Sequence, residues 1–551
     1  MKFRSLTRTL ALLGVLAATP GCKDFYNVNV NPLVPSKADL FALLPTTQVA
    51  MATGLGNSPS GMSQYTMSLM QQLANTRGIG TFQSGSDPFS NEWSTLYTDM
   101  LINNEQIINQ GTKEQSWTYV GIAQIQKAFV FSQMVDLWGN IPYSEALQGA
   151  TLPSPRFDRD QDIYNGANGI ASLFSLIDAG IDNLGKSAVA PGLAKADLMY
   201  AGDKDKWARF GRSLKLKLYN QIRKTRNVSA DVAPLLAPGA SLLGNGDDFE
   251  LKYGASINPD NRNLGYIADY GNSGRENRIN PNFYQGMLNS RSYTDSASTT
   301  AVGADPRIPY YFYNQVPAGS TTSSQDFVLG NFVSTRFGST GAFANTAGAN
   351  VITLPGLYPV GGRYDDGRGG VAVPSSGKGV VAQRLHTYFS RKYTEAELQL
   401  TVLNNEPAAT QALREALGAS FQKVNSIAAA DVSPTMDPAD VRKYIRGAMK
   451  AFRTAASVDD KLEVLMYEKY VASFGYGVDM YTDFRRTYHP RILVPGNADP
   501  ARGIVDDNDP LTQSTGAFPR RLFYSLTDLL LNPNGPRTQP NPVNDRIFWD
   551  K

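Results

Sequence analysis

The stretch YTDFRRTYHP, residues 481–490, holds residue types that bind anions or transfer protons. Arg485 and Arg486 are adjacent, with aromatic residues on either side, and His489 is one of only two histidines in the chain. A guanidinium donates several hydrogen bonds to a phosphate or carboxylate, and histidine titrates near neutral pH. The stretch is therefore a candidate for anion binding, for catalysis or for a structural role.

Other motifs give little support for a metal or a cofactor. Two histidines and one cysteine do not suffice for a zinc or iron site of the usual type. The run DRDQD at 158–162 imitates the start of a calcium loop, but Ile163 stands where that loop needs glycine. The acidic runs at 245–250 and 506–510 leave a hard-cation site open as an alternative. We expect no cofactor.

The sequence contains no signature of a catalytic nucleophile or a nucleotide site. It has no G-x-S-x-G elbow, and the glycine-rich runs lack the spacing of phosphate-binding loops. A glycoside hydrolase needs only two suitably spaced carboxylates. Because the chain has 49 acidic residues, composition does not rule out such a pair.

Aromatic residues are the more informative group, with 27 Tyr, 25 Phe and 5 Trp. Many lie in predicted loops beside Asn, Arg and Asp, as in GYIADYGNSGRENRINPNFY at 265–284. A sugar ring has an apolar face and a polar rim, which suits aromatic platforms with a few polar groups. This pattern makes Tyr266, Tyr270, Asn272 and Phe283 candidate ligand contacts. The alternative is that such rings pin down long loops.

The N-terminus indicates export. Basic residues precede the apolar run Leu10–Ala18, which is too short to span a membrane, and the following small residues lead to Cys22, the only cysteine. This pattern resembles a lipoprotein signal peptide over residues 1–21, with a lipid anchor on Cys22 that holds the protein on a membrane. A plain secreted protein is the alternative.

The charge distribution argues against nucleic acid as a partner. The formal charge of +3 matches Lys2, Arg4 and Arg8, and residues 1–21 contain no acidic residue. The rest of the chain is therefore neutral overall. Phosphate binding requires a basic face, so we expect no nucleic-acid partner.

The elements that must position these residues are predicted to be mainly helical. Apolar residues at helical spacing, such as Trp207, Phe210 and Leu214, predict amphipathic helices. The predicted helices are 38–52, 62–76, 91–109, 114–137, 167–184, 205–224, 385–401, 407–422, 438–454 and 459–475.

Between the helical regions, residues 227–380 are rich in Gly, Asn, Ser, Thr and Tyr, which predicts loops and hairpins. Residues 476–551 are rich in Pro and Asn and predict coil. We therefore expect one domain over 22–551, with a helical scaffold at about 38–226 and 381–475 that carries a loop-rich cap.

Six stretches, in order, resemble the SusD/RagB outer-membrane lipoproteins, in particular their SusD-like subgroup. They are YVGIAQIQKAFVFSQMVDLWGNIPYSEAL (119–147), WARFGRSLKLKLYNQIR (207–223), ADPRIPYYF (304–312), YTEAELQL (393–400), KLEVLMYEKYVASFGYGVDMYTDFRRTYHPRIL (461–493) and FPRRLFY (518–524). Together with Cys22, these matches extend over nearly the whole mature chain.

The resemblance implies a mainly α fold, a tetratricopeptide-like helical superhelix with a loop-rich cap containing short β-hairpins. It implies a lipid-anchored, cell-surface protein of the outer membrane that binds oligosaccharide, is not an enzyme, and delivers its ligand to a SusC-like TonB-dependent transporter. Peptide capture, as in RagB-like members, and a secreted glycoside hydrolase remain alternatives.

The resemblance also adds candidate site residues. In this family, ligand contacts come from the cap loops and from the loop between early helices, which is Arg77–Asn91 in this chain. That comparison makes Arg77, Phe82, Phe89 and Trp93 candidates for ligand binding.

Finally, the resemblance favours a structural role for YTDFRRTYHP, because members with unrelated ligands share this block. We predict that Arg485 or Arg486 bonds carbonyls and acids at a helix–coil junction. His489, where the family usually has glycine, is the residue of this stretch that we least expect to be essential.

Overall fold

The computed structural model describes residues 38–76, 82, 85, 87–188, 190–271, 275, 277–298, 300–320, 322, 326–339, 348–491 and 518–551. Four predicted features lie outside the described residues: the signal peptide with Cys22, Arg77, Asn272 and the acidic run at 506–510. Within the described ranges, no helix combines the length and the apolar character that a membrane span requires.

The first half of the scaffold consists of helices whose ends carry the expected capping residues. Asp39 caps the first helix by accepting from Phe41 N, Asp203 caps another by accepting from Lys206 N, and Gly139 ends the long central helix with φ +77°. The helices are α1 (Leu40–Leu55), α2 (Met62–Leu69), α3 (Ser90–Ser94), α4 (Ile102–Lys113), α5 (Trp117–Trp138), α6 (Asp160–Asn165), α7 (Leu173–Leu184), α8 (Leu193–Ala196), α9 (Lys204–Ile222) and α10 (Ser229–Leu235), with a π-helical turn at Thr95–Leu101 and a 3₁₀ turn at Gly149–Thr151.

The central helix α5 is buried on several sides, as its sequence predicts. Helices α4 and α7 pack along it, and α9 packs on α7. Gly121 of α5 lies so close to α7 that an added Cβ would stand 2.7 Å from the carbonyl oxygen of Gly180. Glycine at this crossing therefore lets the two backbones approach closely.

The cap contains short strands in long loops, as predicted, and also short helices that the sequence did not predict. Its helices are α11 (Leu264–Tyr270), α12 (Pro281–Leu288), α13 (Ile308–Tyr311) and α14 (Leu357–Val360), with a 3₁₀ turn at Ser290–Ser292. The strands of the described chain are β1 (Leu73–Thr76), β2 (Ile141–Pro142), β3 (Phe157–Asp158), β4 (Phe249–Leu251), β5 (Asn277–Ile279), β6 (Phe312–Tyr313), β7 (Phe327–Leu329), β8 (Phe332–Ser334), β9 (Leu354–Pro355) and β10 (Gln383–His386). They form the antiparallel pairs β1–β5, β2–β3, β4–β10, β6–β9 and β7–β8.

The second half of the scaffold returns to long helices that pack on their chain neighbours. Asp437 caps one of them by accepting from Ala439 N, and Pro438 occupies its first turn, where a missing N–H costs nothing. The helices are α15 (Tyr388–Thr401), α16 (Glu406–Asp431), α17 (Pro438–Thr454), α18 (Val458–Ala472), α19 (Gly477–Thr487) and α20 (Leu526–Leu531).

Several predicted boundaries were wrong, among them the start of the helix predicted at 167–184, which begins at Leu173. The helix predicted at 62–76 ends at Leu69, and its last residues form β1 because they pair with β5 of the cap. The helix predicted at 407–422 continues to Asp431. The coil predicted from 476 begins with α19, which is buried along its whole length, so tertiary packing outweighs the Pro- and Asn-rich composition of that region.

One large hydrophobic core joins scaffold and cap. It contains Phe129 of α5 and Leu465 of α18 together with cap residues such as Phe283 and Phe312. A second, small cluster of seven buried residues lies within the cap: Tyr266, Tyr270, Tyr313, Ile352, Leu354, Val360 and Ala372. The cap is therefore anchored on the scaffold by shared core residues and stiffened by a small core of its own.

Candidate functional site

The strand pair β1–β5 connects the early helices to the cap. Its register places Leu73 opposite Ile279 and Thr76 opposite Asn277. Arg77 follows Thr76 directly in the chain, and Asn272 precedes Asn277 by five residues. The two segments predicted to contribute polar ligand contacts are thus joined to neighbouring ends of one strand pair.

Phe82, from the loop between the early helices, lies against the cap and the C-terminal segment. Its ring centroid is 5.0 Å from that of Phe337 and 5.4 Å from that of Phe518. Only 5% of Phe82 is exposed. This residue therefore holds three separate parts of the chain together.

Phe89 and Trp93 are packed in the large core. The Phe89 ring meets Tyr65 at 4.8 Å edge to face, and the Trp93 ring meets Trp138 of α5 at 5.3 Å. Both are buried, with 2% and 6% of their surface exposed. They tie α3 to the core.

Tyr266 and Tyr270 stack on each other inside the cap, with centroids 4.8 Å apart and ring planes 9° from parallel. The Tyr266 hydroxyl, with its one proton, lies 2.9 Å from each of two possible acceptors, the carbonyl oxygens of Pro374 and Gly377. The Tyr270 hydroxyl donates to the Pro355 carbonyl at 3.0 Å. Tyr266 is thus bonded to the segment that follows α14, and Tyr270 to the strand β9 that precedes it.

Phe283 of α12 is a contact between cap and scaffold. Its ring packs at 5.1 Å from Phe474 and at 5.4 Å from Tyr470, and on the cap side it lies 5.5 Å from Phe312. Phe283 is 2% exposed.

The six aromatic candidates that the structure describes are thus packed against other side chains, and none presents an open ring face. Their placement matches the alternative interpretation, in which the rings pin down long loops. Sequence alone could not separate the two, because a ring that stacks on a sugar and a ring that stacks on another ring occupy similar loop contexts.

The predicted structural role of YTDFRRTYHP is confirmed. Arg485 has no exposed surface and donates to the carbonyl oxygens of Asp136 and, at 2.9 Å, Arg520. Arg486 donates to the carboxylates of Glu397 and Asp483. Both arginines therefore join α19 to other elements and are not available to a ligand.

His489, the residue of this stretch that we least expected to matter, is closely held. Its Nδ1 lies 2.6 Å from Glu463 Oε2 and its Nε2 lies 2.8 Å from Asp459 Oδ1, with 2% of the residue exposed. The two carboxylates come from α18. No local signal predicts this contact, because it depends on how the chain after α19 returns to α18.

The acidic run at 245–250 does not form a cation site in this structure. Lys423 of α16 lies 2.8 Å from Asp248 Oδ2 and 2.7 Å from Glu250 Oε2, while Asp247 pairs with Arg209 at 2.9 Å. In the described part of the chain, no cluster of His, Cys, Asp and Glu side chains is arranged to hold a metal ion. The contact of Lys423 with these carboxylates has no signal in the sequence, because Lys423 lies 173 residues from Glu250 in the chain.

Comparison with protein families gives one match over most of the chain. A SusD-like family model, described as starch-binding and associating with the outer membrane, matches residues 32–521. No curated protein sequence shows significant similarity.

Several solved structures share the fold over nearly the whole chain. A chitin-binding protein superposes with a TM-score of 0.66 at 18% identity, covering 93% of this chain and 100% of its own. A SusD/RagB family protein from Bacteroides thetaiotaomicron gives 0.63 at 20% identity, with 93% and 99% covered. A chitin-binding SusD homologue from Flavobacterium johnsoniae gives 0.59 at 17% identity, with 93% and 95% covered. Structural similarity at such low sequence identity establishes the fold of this chain.

Proposed function

Because this chain belongs to the SusD-like family, described as starch-binding and associated with the outer membrane, we propose that it captures oligosaccharide at the cell surface. In this proposal it is a lipoprotein that delivers its ligand to a SusC-like TonB-dependent transporter and catalyses no reaction. The observation that carries the proposal is the family match over residues 32–521.

The ligand surface in this proposal lies where the loop after β1 meets the cap. Two contacts support this location: Thr76 is the register partner of Asn277, and Phe82 packs on Phe337. Each contact joins the early-helix loop to the cap. A ligand bound there would touch both parts, which is how many small-molecule sites are formed between structural units.

Within that surface, polar and aromatic candidates have different roles. Arg77 and Asn272 remain proposed direct contacts, since a guanidinium and an amide supply the directed hydrogen bonds that orient a sugar. The six buried rings act beneath the surface by holding its loops in place. Their contribution to affinity is therefore indirect, through preorganisation.

The anchoring part of the proposal rests on the signal-peptide pattern that ends at Cys22. A diacylated cysteine holds a protein on a membrane without a transmembrane segment. The neutral net charge of residues 22–551 agrees with an uncharged ligand such as a neutral glycan.

A calorimetric titration of the Cys22→Ala chain, purified without its signal peptide, tests ligand capture. Maltoheptaose, chitohexaose and a casein peptide mixture serve as three separate titrants, and reducing ends are assayed in parallel. We expect saturable binding of at least one oligosaccharide without an increase in reducing ends. Binding of the peptides alone would favour the peptide-capture alternative, and release of reducing ends would favour the hydrolase.

A second measurement tests delivery. The full-length lipoprotein is extracted from its own outer membrane in mild detergent and purified by an affinity tag. We expect a TonB-dependent barrel to co-purify in stoichiometric amount. A lipoprotein that always purifies alone would contradict the transporter part of the proposal and leave glycan capture standing.

A further inference from the structure

Three adjoining cavities surround Lys423 on the side of α16 that faces β4. Their volumes are about 320, 190 and 210 Å³, and Lys423 lines all three. Glu250 and Lys252 line the first two, and Asp248 lines the first and third. We refer to these three adjoining cavities together as the Lys423 groove. None of the aromatic candidates discussed above lines it.

The floor of the groove is a charged triad. Lys423 Nζ lies 2.8 Å from Asp248 Oδ2 and 2.7 Å from Glu250 Oε2, and all three side chains are 12–19% exposed. Burial alone would lower the pKa of Lys423, but the carboxylates of Glu250 and Asp248 outweigh it and raise that pKa. The two carboxylates therefore favour the charged form of Lys423, and all three residues line the cavities.

This triad retains unused hydrogen-bonding capacity. An ammonium has three donors, of which two are directed at the carboxylates, and each carboxylate oxygen has more than one acceptor site. Asp248 Oδ1 already accepts from Tyr388 N at 2.7 Å, which fixes the carboxylate plane at the start of α15. A ligand with adjacent hydroxyl groups can accept from the ammonium and donate to a carboxylate simultaneously.

The walls of the groove complement such a ligand. The 190 Å³ cavity has an apolar wall of Leu357, Val381 and Ile427, while Tyr388 lines the 210 Å³ cavity and the exposed Lys252 lines the 190 and 320 Å³ cavities. Acidic and basic residues around the groove are nearly balanced in number. The balance does not favour a strongly charged ligand, and an aliphatic wall beside a polar floor matches the two faces of a sugar ring.

We propose that the Lys423 groove is a second glycan-binding subsite, separate from the loops beside β1 and β5, which takes one or two uncharged sugar rings. The inference rests on the proposed function, because it assumes that the protein binds glycans. The 320 Å³ cavity lies at the lower end of the roughly 300–1,000 Å³ range of small-molecule sites, which suits a short stretch of an oligosaccharide.

A metal ion is the less suitable occupant. Asp248 and Glu250 already share the ammonium of Lys423, so a cation would have to displace a lysine whose pKa is raised in this position. A glycan needs no such displacement, since its hydroxyl groups add to the existing triad.

Filling the groove tests the inference. Ser426 and Ala430 are exposed on α16 and line different cavities of the groove, so Ser426→Trp and Ala430→Trp place bulk in it without entering the core. Ala429→Trp is the matched control, because Ala429 is equally exposed on the same helix and lines none of the three cavities. Circular dichroism melts of all three variants check that they fold.

The variants are titrated with maltoheptaose and with chitohexaose, and hydrogen exchange is followed at 245–252 and 419–431. For the wild type and Ala429→Trp we expect two sites per chain and slower exchange at both segments. For Ser426→Trp or Ala430→Trp we expect one site, with protection at those segments lost and affinity at the groove reduced at least tenfold.

The other outcomes separate the two proposals. Glycan binding at one site, with no protection at 245–252 and no effect of either groove variant, would overturn the groove inference and leave the proposed function intact. Loss of groove protection in Ala429→Trp as well would overturn it, because the effect would not come from filling the groove. A wild type that binds neither glycan would overturn both.

Discussion

Arg486 of α19 and Glu397 of α15 form an ion pair in which neither side chain has exposed surface. Arg223, at the end of α9, lies 2.8 Å from the same carboxylate, and Asp483 accepts from Arg486. Burial alone would raise the pKa of Glu397, but the two guanidinium groups outweigh it and lower that pKa. The charges thus connect both halves of the scaffold through α19.

The first prediction concerns this pair. Arg486→Met removes one of the two guanidinium partners of buried Glu397 and leaves it with Arg223 and the Asn220 amide. Breaking a buried ion pair costs about 3–5 kcal/mol. We expect the free energy of unfolding, measured by urea denaturation, to decrease by about this amount. The control is Arg368→Ala, which breaks an exposed pair with Asp366 and should change the unfolding free energy by less than about 0.5 kcal/mol. Similar decreases in unfolding free energy for Arg486→Met and Arg368→Ala would contradict the stabilising role of the buried pair.

Asp136 gives a prediction about pH. Burial raises the pKa of Asp136 to about 6, although Lys217, Tyr164, Arg485 and Trp549 act in the opposite direction. In the unfolded chain an aspartate titrates near about 3.9. The folded state therefore binds this proton more tightly than the unfolded chain does. The resulting stabilisation of the folded state is complete below the pKa of Asp136 in the unfolded chain, and it is lost as the pH rises through about 6.

The variant Asp136→Asn removes this titration. We expect the difference in unfolding free energy, wild type minus variant, to increase by about 1 kcal/mol when the pH is lowered from about 7.5 to about 5. Urea titrations of both proteins at the two pH values measure the change. Parallel stability profiles would show that Asp136 does not titrate in this range.

Two variants of Phe82 distinguish whether its ring supports the loop or stacks directly on a bound glycan. It is packed between Phe337 and Phe518, so Phe82→Ala opens a cavity beneath the loop and should weaken glycan affinity by about 1–3 kcal/mol. Phe82→Leu keeps most of the apolar volume but removes the ring. If Phe82 supports the loop from beneath, the leucine variant should bind nearly as well as the wild type in calorimetric titrations.

A different result for this pair would revise the site. If the leucine variant loses as much affinity as the alanine variant, the ring itself is needed and Phe82 contacts the ligand. If neither variant changes affinity, the ligand surface does not depend on this loop.

The proposed lipid anchor depends on Cys22. The variant Cys22→Ala cannot be acylated at this position, so the protein should appear in the soluble fraction after cell fractionation. Metabolic labelling with a palmitate analogue should give a labelled band for the wild type and none for the variant. Unchanged membrane retention without the cysteine would contradict the lipoprotein assignment.

Most helices were predictable because their evidence is local. The stripe through Trp207, Phe210 and Leu214 identifies α9, and the predicted limits of the helix at 438–454 agree with the structure. Errors occurred where pairing or burial outweighs local preference. The strand at 73–76 forms because β5 lies beside it, and α19 forms in a region whose composition predicts coil.

The candidate site was less predictable than the fold. Tyr266 and Phe283 could be recognised as unusual loop aromatics, but their burial depends on partners from distant segments, such as Pro374 and Phe474. The contacts of Lys423 with Asp248 and Glu250 also join distant segments, since about 170 residues separate the lysine from the carboxylates. No spacing rule links residues that meet only after folding.

The sequence by itself determined the family, the predominance of helices and the near-neutral charge, because each is expressed in local patterns or in composition. It also determined that YTDFRRTYHP is structural, through its resemblance to a block shared across ligands. Only the tertiary structure decided which aromatic rings are covered, which carboxylate each buried arginine faces, and where a groove remains open. These properties depend on the packing of distant segments, which a linear sequence does not encode in any single stretch.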